Sequence, residues 1–521
     1  MYGDEIYGIF ETVKKAFDPL EILNPGKKIV SAGESGGLAR NLRYGTDYWT
    51  FEQHPILHFP RNEYEHEIEK CHGCGQCKSL VATTMCPTFK ATHREHASPR
   101  AKANLLRSII TWQLYPESTY ALTATKEVTD YCIVCGMCAI ECPSRVDIPK
   151  LMLEVNSKYR AAHSSTPVDW TLGHAEMVSQ AGHVAAPLAN RLLNQGLLRR
   201  AGERLVGIDR RRTMAPFARR TFAQLVAARD DPYRDWRASA GGAGGDGVFD
   251  ESARGSAGWD MPVDGAGAQR AARVPRVALF YDVFANYNDP QLALIVEDVL
   301  KSHGVRVVFP EQKASGIPEM LYGYAKRAQA VAAFNLEHVL PFVKDGCVLV
   351  SSEPTATFAF KVHYPDYLSS PDCSLVANAT RDLGEFLVRY RADRPESSPR
   401  PSPLSLRIGY HQPCHLKAQQ TGDPGLELLR EIPGLEVTNL DSGCCGMAGT
   451  FGMKAGSFDF SMRTGKPLFD KIATVAPDLV VTECSTCRMQ IAEATGLPTA
   501  HPVELLAKAY GLATALGRPN I

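Results

Sequence analysis

Two stretches in the C-terminal half of the chain show the same alternation of apolar runs and amphipathic segments. In the first, Val277–Phe284, Val305–Pro310 and Cys347–Ser352 are short apolar runs typical of buried strands. Segments with helical spacing, at Pro290–His303 and Met320–Leu340, separate them. Strands that alternate with helices form parallel sheets covered by helices, so this stretch predicts an α/β lobe.

The same order of elements recurs after a Pro- and Ser-rich break at Arg394–Leu404. The predicted strands are residues 406–411, 435–440 and 478–483, and the predicted helices are Gly425–Glu431 and Phe460–Thr474. The repetition predicts an internal duplication, with one lobe over residues 273–393 and a second over residues 405–515.

The N-terminal half is predominantly helical in pattern. Residues 1–30 predict one helix and a turn, because Ile6, Ile9 and Val13 recur at helical spacing before Asp18-Pro19. The remaining segments are a connector at 31–66, a helical domain at 67–163, an Arg-rich helical region at 164–237 and a Gly-rich linker at 238–272. The predicted fold class is therefore mixed α and α/β.

Charge and hydropathy narrow the possible functions. The chain carries 57 Lys+Arg and 57 Asp+Glu, so its net charge gives no reason to expect a nucleic-acid partner. No segment approaches the length of about 18 apolar residues that spans a membrane, and residues 1–15 lack the apolar core of a signal peptide. We expect a cytoplasmic protein.

The cysteines are grouped rather than scattered. Cys71, Cys74 and Cys77 are spaced two residues apart, as are Cys132, Cys135 and Cys138, and each triplet is followed by a Cys-Pro pair, at Cys86 and Cys142. In a reducing compartment such groups indicate metal or cluster ligands rather than disulfides. Each loop can wrap three corners of a [4Fe-4S] cluster, with Gly75 and Gly136 where the backbone passes close.

The fourth ligand of each cluster is predicted from the other triplet, as in two-cluster ferredoxins. This gives a first ferredoxin set of Cys71, Cys74, Cys77 and Cys142, and a second ferredoxin set of Cys132, Cys135, Cys138 and Cys86. The alternative is one or two structural zinc sites, which also use cysteine pairs two residues apart. Two triplets that each have a Cys-Pro partner favour the clusters.

Five further cysteines follow the predicted strands of the second lobe. This CCG set consists of Cys414, Cys444, Cys445, Cys484 and Cys487. The carboxyl ends of parallel strands share one edge of a sheet, so the three loops can converge. Five thiolates exceed the four of a tetrahedral zinc site, which favours a polynuclear cluster, although zinc remains an alternative. His411 and His415 could ligate, but hydrogen bonding around the site is the preferred interpretation.

The first lobe lacks the corresponding cysteines. Lys313–Met320 stands where a CCG turn would fall, and Glu353–Phe358 stands where a cysteine-containing turn would fall. Cys347 lies in an apolar strand and is predicted to be a buried, inert thiol, whereas Cys373 is predicted to lie in a surface loop. We interpret this lobe as a copy that has lost its metal.

These patterns carry a family resemblance over about residues 67–515. Paired ferredoxin triplets followed by two lobes, the second with C…CCG…CxxC, resemble the iron–sulfur proteins of the heterodisulfide reductase and glycolate oxidase type. The iron–sulfur subunit of anaerobic glycerol-3-phosphate dehydrogenase is similar. The resemblance implies a third iron–sulfur cluster, or zinc, on the CCG set, and the departures at Ala314, Ser315 and Ala356 imply that the first lobe holds none.

Val13–Ile29 resembles the C-terminal end of FAD-linked oxidases of the D-lactate dehydrogenase type. The resemblance implies the electron-transfer part of a flavin-linked D-2-hydroxyacid dehydrogenase, either the end of a fused chain or a separate subunit. FAD would belong to a partner domain or subunit, and a quinone or another carrier would accept the electrons. The alternatives are an iron–sulfur subunit of glycerol-3-phosphate dehydrogenase or of a heterodisulfide-reductase-like complex, and a zinc-stabilised interaction scaffold without a redox role. No catalytic residue is predicted in this chain.

One further segment bears on partners. Between His183 and Arg229 there are ten arginines against two acidic residues, with leucines at intervals. A basic amphipathic helix can lie on an anionic membrane surface, which suits a quinone acceptor at the inner face of a membrane. The alternative is a solvated or partner-facing helix.

Overall fold

The computed structural model describes residues 3–23, 25–26, 29, 48–60, 63–81, 85–193, 195–229 and 275–513. The predicted linker at 238–272 lies outside these residues, as does most of the predicted connector at 31–66. Up to residue 229 the described chain is helical, with helices at Gly3–Phe17, Glu63–Glu69, Pro87–Thr92, Pro99–Ile110, Pro116–Ala121, Thr123–Asp130, Met137–Glu141, Ile148–Ala162, Pro167–Gly173, Ala175–Val184, Ala186–Leu193, Gly196–Leu205 and Phe222–Ala227.

The first lobe contains a four-stranded parallel sheet. Its strands are β1 (Arg276–Phe280), β2 (Arg306–Val308), β3 (Val348–Ser351) and β4 (Thr380–Asp382), in the order β2-β1-β3-β4. Its helices are Pro290–Ser302, Ile317–Leu321, Ala325–Lys344, Pro354–Phe358, Tyr364–Tyr367, Pro371–Ala379 and Leu383–Asp393. The segment predicted as one helix, Met320–Leu340, is two, because the chain turns through Gly323 with a positive φ of 76°.

The second lobe repeats the sheet. Its strands are β5 (Leu406–Tyr410), β6 (Leu435–Asn439), β7 (Leu479–Val481) and β8 (Thr499–Ala500), in the order β6-β5-β7-β8, again all parallel. Its helices are Cys414–Lys417, Pro424–Arg430, Phe458–Val475, Ser485–Thr495 and Pro502–Ala509. The predicted mixed α and α/β class, with two similar α/β lobes, is confirmed.

The two lobes share one hydrophobic core. Helix Pro290–Ser302 of the first lobe packs on Pro502–Ala509 of the second, and Leu383–Asp393 packs on Pro424–Arg430. Buried side chains from both sheets, such as Val277 and Ile408, belong to the same cluster. Because burial of apolar surface drives this packing, each lobe contributes to the stability of the other.

The cysteine-bearing helices have their own core. Helices Pro99–Ile110 and Ile148–Ala162 begin at side-chain caps, Ser98 and Asp147, each followed by proline in the first turn. Their apolar faces pack together around Leu106 and Leu151. Glu154 on the second of these helices is buried and accepts hydrogen bonds from the backbone of Ile56 and Leu57, which ties residues 48–60 to this domain.

Cys347 and Cys373 are both buried, at 4% and 2% exposure. The predicted burial of Cys347 is confirmed. The prediction of a surface loop for Cys373 is wrong, because this residue lies on helix Pro371–Ala379 and its thiol points to the carbonyl oxygen of Leu368 at 3.7 Å. The helix is short and polar at its start, so its buried side is not evident from the sequence.

Candidate iron–sulfur sites

The first ferredoxin set lines one cavity. The loop after helix Glu63–Glu69 turns through Gly73 and Gly75, with φ of 79° and 80°, a conformation that glycine adopts without strain. Cys71, Cys74 and Cys77 line this cavity together with Cys142 from the second half of the domain, and Cys138 reaches its wall. Cys74 is exposed to solvent. The structure therefore brings the four predicted ligands together at the surface.

The second ferredoxin set lies deeper. Burial raises the pKa of the Cys132, Cys135 and Cys138 thiols, and the neighbouring Cys86 raises each further. Cys86 begins helix Pro87–Thr92 with a left-handed φ of 35°. These four thiols are thus neighbours, as the crossed assignment requires, and the assignment of individual ligands remains a prediction.

Two buried cations support these loops. Lys102 is 1% exposed and donates to the carbonyl oxygen of Ala97 at 2.7 Å. Burial raises the pKa of the Cys132 thiol, and the charge of Lys102 partly offsets that rise. Arg107 is also buried and donates to the carbonyl oxygens of Glu69 and Cys71, each at 3.0 Å. A buried positive charge favours thiolate over thiol and offsets the negative charge of a thiolate-bound cluster.

The CCG set forms a continuous chain of sulfur contacts. The Sγ atoms of Cys445 and Cys487 are 3.1 Å apart, and hydrogen bonds link Cys414 to Cys444, Cys444 to Cys445, and Cys487 to Cys484. The hydrogen bonds from Cys444 and Cys487 lower the pKa of Cys445 to about 6, and the bond from Cys487 lowers that of Cys484 to about 6. The structure brings all five predicted residues into one buried group.

The CCG turn leaves no space for a side chain at Gly446. Gly446 has a φ of 88°, and a Cβ there would lie 2.1 Å from the carbonyl oxygen of Ser461. Its backbone N–H points to the Sγ of Cys444 at 3.3 Å. The turn therefore packs tightly and places a backbone N–H donor beside the Cys444 sulfur.

The first lobe shows which residues replace the cysteines. Val277 of β1 pairs with Val307 and Val348, as Ile408 of β5 pairs with Val437 and Leu479. Counting equally far along the chain from these pairs, Ala314 and Ser315 correspond to Cys444 and Cys445, Gly316 to Gly446, Glu353 to Cys484, and Ala356 to Cys487. Gly316 keeps the positive φ, at 77°, so the turn survives without its thiols.

Glu353 contacts the CCG set from the first lobe. It is half-buried, and loss of hydration around its carboxyl followed by repulsion from Cys484 raises its pKa well above the usual range. Its Oε2 atom accepts hydrogen bonds from the backbone N–H and the hydroxyl of Ser485, at 3.1 and 2.8 Å. Glu353, Lys102 and Arg107 belong to no sequence motif, and only the three-dimensional arrangement reveals them.

The two histidines near Cys414 differ. His411 is buried, its Nε2 has no hydrogen-bond partner among the described residues, and burial lowers its pKa to about 3. His415 bonds to the carbonyl oxygen of Val134 and to the Thr355 hydroxyl rather than to a thiolate. Burial lowers the pKa of His415 to about 4, so its ring is neutral.

The donor sets fit iron–sulfur clusters. All fifteen cysteines are free, although the sulfurs of the CCG set touch one another. Burial raises the pKa of most of the grouped thiols, so thiolates would form there only with a bound cation. Among the described residues, no group of three or more His, Cys, Asp and Glu side chains is arranged around a single metal-ion position.

Comparison with known proteins gives the class of protein. Residues 67–146 match the 4Fe-4S dicluster domain, and residues 408–492 match the cysteine-rich domain CCG. Both domains coincide with the cysteine groups described above. The chain is therefore an iron–sulfur protein in which a dicluster domain precedes a CCG domain.

The chain is 32% identical over 372 residues to a subunit of the anaerobic glycerol-3-phosphate dehydrogenase of Escherichia coli (strain K12), and the match covers 70% of this chain and 83% of that protein. It belongs to the family of that subunit and is an iron–sulfur electron-transfer module of the kind found with flavin-linked dehydrogenases.

Two other relatives cover different shares of the chain. D-2-hydroxyglutarate dehydrogenase of E. coli (strain K12) is 23% identical over 554 residues, which is 97% of this chain but 49% of that protein, so this chain spans about half of that relative's length. Lactate utilization protein A 2 of Bacillus cereus (strain AH820) is 26% identical over 248 residues, 45% of this chain and 98% of that protein. In the described part of the chain, no helix is long and apolar enough to span a membrane.

Proposed function

We propose that the chain receives electrons from the FAD of a D-2-hydroxyacid dehydrogenase domain or subunit and delivers them to a quinone or another carrier. The observation that carries this proposal is the order of the three cysteine sets. The first ferredoxin set reaches solvent at Cys74, the second has no exposed cysteine, and Cys135 of the second lies near Cys414 and Cys444 of the CCG set.

We assign the proposed clusters to the three cysteine sets. The first and second ferredoxin sets would each hold a [4Fe-4S] cluster, and the CCG set would hold a third iron–sulfur cluster, with zinc as the alternative metal. Such clusters supply one-electron carriage. The chain's own contribution is to leave no cysteine of the second set exposed, to place Lys102 beside that set and to hold the three sets in order.

The assignment to a D-2-hydroxyacid dehydrogenase rests on how much of this chain each relative matches. The D-2-hydroxyglutarate dehydrogenase relative matches 97% of this chain, against 70% for the glycerol-3-phosphate dehydrogenase subunit. Helix Gly3–Phe17 has no buried residue and exposes Ile9, Val13 and Phe17, as a segment that packs on a partner would. The higher identity to the glycerol-3-phosphate dehydrogenase subunit supports that complex as the second candidate.

Peripheral membrane contact is a further part of the proposal. The surface suited to it is smaller than the whole Arg-rich segment that the sequence indicates. Arg212 is 1% exposed and donates to Gly452 and Ser461 of the second lobe, so it anchors the segment rather than facing a membrane. Helices Ala186–Leu193 and Gly196–Leu205 expose leucines beside exposed arginines. These two helices are the part suited to an anionic surface.

The test uses the full chain purified without oxygen. Brown colour that bleaches on reduction, with iron and acid-labile sulfide, is expected, whereas a colourless protein that contains zinc would contradict the proposal in favour of a scaffold. The chain alone should not reduce a dye with D-2-hydroxyglutarate, D-lactate or glycerol 3-phosphate. The flavoprotein of each dehydrogenase is then added in turn. Dye reduction should appear with only one flavoprotein and its substrate, which identifies the electron donor of this chain.

A further inference from the structure

The second ferredoxin set and the CCG set meet at one narrow contact. Burial raises the pKa of the Cys135 thiol and the neighbouring Cys414 raises it further, while Cys135 is among the groups that act on Cys444, so these sulfurs lie near one another. Gly136, next to Cys135, lies so close to the second lobe that a Cβ there would be 2.8 Å from the Cβ of Ala418. The two loops are therefore in direct contact.

His415 connects these two loops. Its Nε2 lies 2.9 Å from the carbonyl oxygen of Val134, and its Nδ1 lies 3.1 Å from the Thr355 hydroxyl. A carbonyl oxygen only accepts, so Nε2 carries the proton and Nδ1 accepts from the hydroxyl. The ring stacks on Phe358, with centroids 4.8 Å apart and planes 11° apart. Its position is thus fixed from three sides.

The residue that His415 holds is strained. Val134 has a φ of 52°, a left-handed conformation that is an outlier for a β-branched side chain. The same position of the first triplet is Gly73, with a φ of 79°, where no strain arises. Of the two triplets, the one that faces the CCG set thus carries the strained valine. Strain of this kind persists where surrounding contacts hold it in place.

Building on the proposed function, we propose that His415 is a positioning residue that couples the second ferredoxin set to the CCG set. Its hydrogen bond holds the Val134 carbonyl, and with it Cys135, against Cys414. The step it supports is the transfer of one electron between the two sets, so that one site is oxidised and the other reduced. No bond is made or broken, and His415 neither gains nor loses a proton.

The test compares three variants of the full chain. His415→Phe keeps the stacking on Phe358 but removes both hydrogen bonds, and His415→Gln keeps an N–H donor. His338→Phe is the matched control, because His338 stacks on Phe334 in the same way, at 4.0 Å, away from the cysteines. The readouts are iron and sulfide content, the magnetic interaction between the two sites by EPR, and the rate at which the CCG site is reduced after the ferredoxin sites.

In His415→Phe, we expect complete iron and sulfide, a weaker magnetic interaction and a rate lower by about fivefold, the population change that corresponds to loss of the bond to the Val134 carbonyl. His415→Gln and His338→Phe should match the unchanged chain. The proposal would be overturned if His415→Phe kept full coupling between the two sets, or if His338→Phe lost as much coupling as His415→Phe. If His415→Phe loses iron, the deciding variant is Thr355→Val, because it removes only the hydroxyl that orients the ring. Weaker coupling between the two sets in Thr355→Val supports the proposal, and unchanged coupling refutes it. A chain that assembles no clusters in unchanged form contradicts the proposed function instead.

Discussion

Glu353 of the first lobe accepts two hydrogen bonds from Ser485 of the second, across the interface between the lobes. Ser485 is the first residue of the helix that carries Cys487, and Cys484 immediately precedes it. A side-chain oxygen at a helix N-terminus satisfies an N–H group that has no partner within the helix. The lobe without thiols therefore supports the CxxC segment of the other lobe.

Glu353→Ala should lower the free energy of unfolding by about 1–3 kcal/mol, because the buried N–H of Ser485 loses its acceptor. Iron in the CCG set should fall while the EPR signals of the ferredoxin sets remain. Denaturant unfolding and metal analysis measure both effects. Asp470→Ala, which removes an exposed ion pair with Lys466, is the control and should change neither; unaltered stability in Glu353→Ala would show that this contact is dispensable.

The crossed assignment of the Cys-Pro cysteines gives a second prediction. Cys142→Ser should damage the first ferredoxin set and Cys86→Ser the second, because Cys142 lines the cavity of the first triplet and Cys86 neighbours all three thiols of the second. Each variant should lose about four iron atoms and one set of EPR signals. Cys373→Ser, which changes a buried thiol outside the three sets, is the control. Loss of the same signals in both variants would contradict the crossing.

Gly136→Ala tests the contact between the two loops. Gly136 has a φ of 79°, and an added Cβ would lie 2.8 Å from the Cβ of Ala418. Backbone strain and steric overlap should together lower the free energy of unfolding by roughly 2–4 kcal/mol. Gly496→Ala separates the two causes, since Gly496 has a φ of 71° but open space around it, and should cost only about 1 kcal/mol. Thermal unfolding compares them, and equal destabilisation would mean that the loops do not press on each other.

Asp382 predicts a pH dependence of stability. It is buried at the end of β4, where burial raises its pKa to about 7, while Gly384 and Lys361 lower it and Glu385 raises it. Asp382 in turn raises the pKa of Glu483. A raised carboxyl pKa means that the folded state binds the proton more tightly, so its contribution is present below about pH 4 and is lost as pH rises to about 7.

Asp382→Asn should therefore show a smaller fall in stability between about pH 4 and pH 7 than the unchanged chain. The measurement is the denaturant midpoint across this range. Asp372→Asn is suitable for comparison, because its carboxylate is 43% exposed in an ion pair with Lys344. Parallel curves for Asp382→Asn and the unchanged chain would rule out a titrating Asp382.

The sequence predicts the strands and the cysteine groups because each leaves a local pattern. Apolar runs mark β1, β3 and β5, and paired spacings mark the triplets. β4 and β8, of three and two residues, are too short to leave a pattern. The contacts of Glu353, Lys102 and Val134 depend on the folded arrangement of separate segments, so no local pattern predicts them. Cys373 is predicted wrongly for the same reason.

Cys74 is exposed, whereas the other twelve grouped cysteines are half-buried or buried. A sulfur open to water is also open to dissolved oxygen and peroxide, and oxidation of thiolates follows exposure. Damage in air would then begin at the first ferredoxin set and proceed inward. The molecule would lose the centre nearest to solvent while its interior centres were still intact.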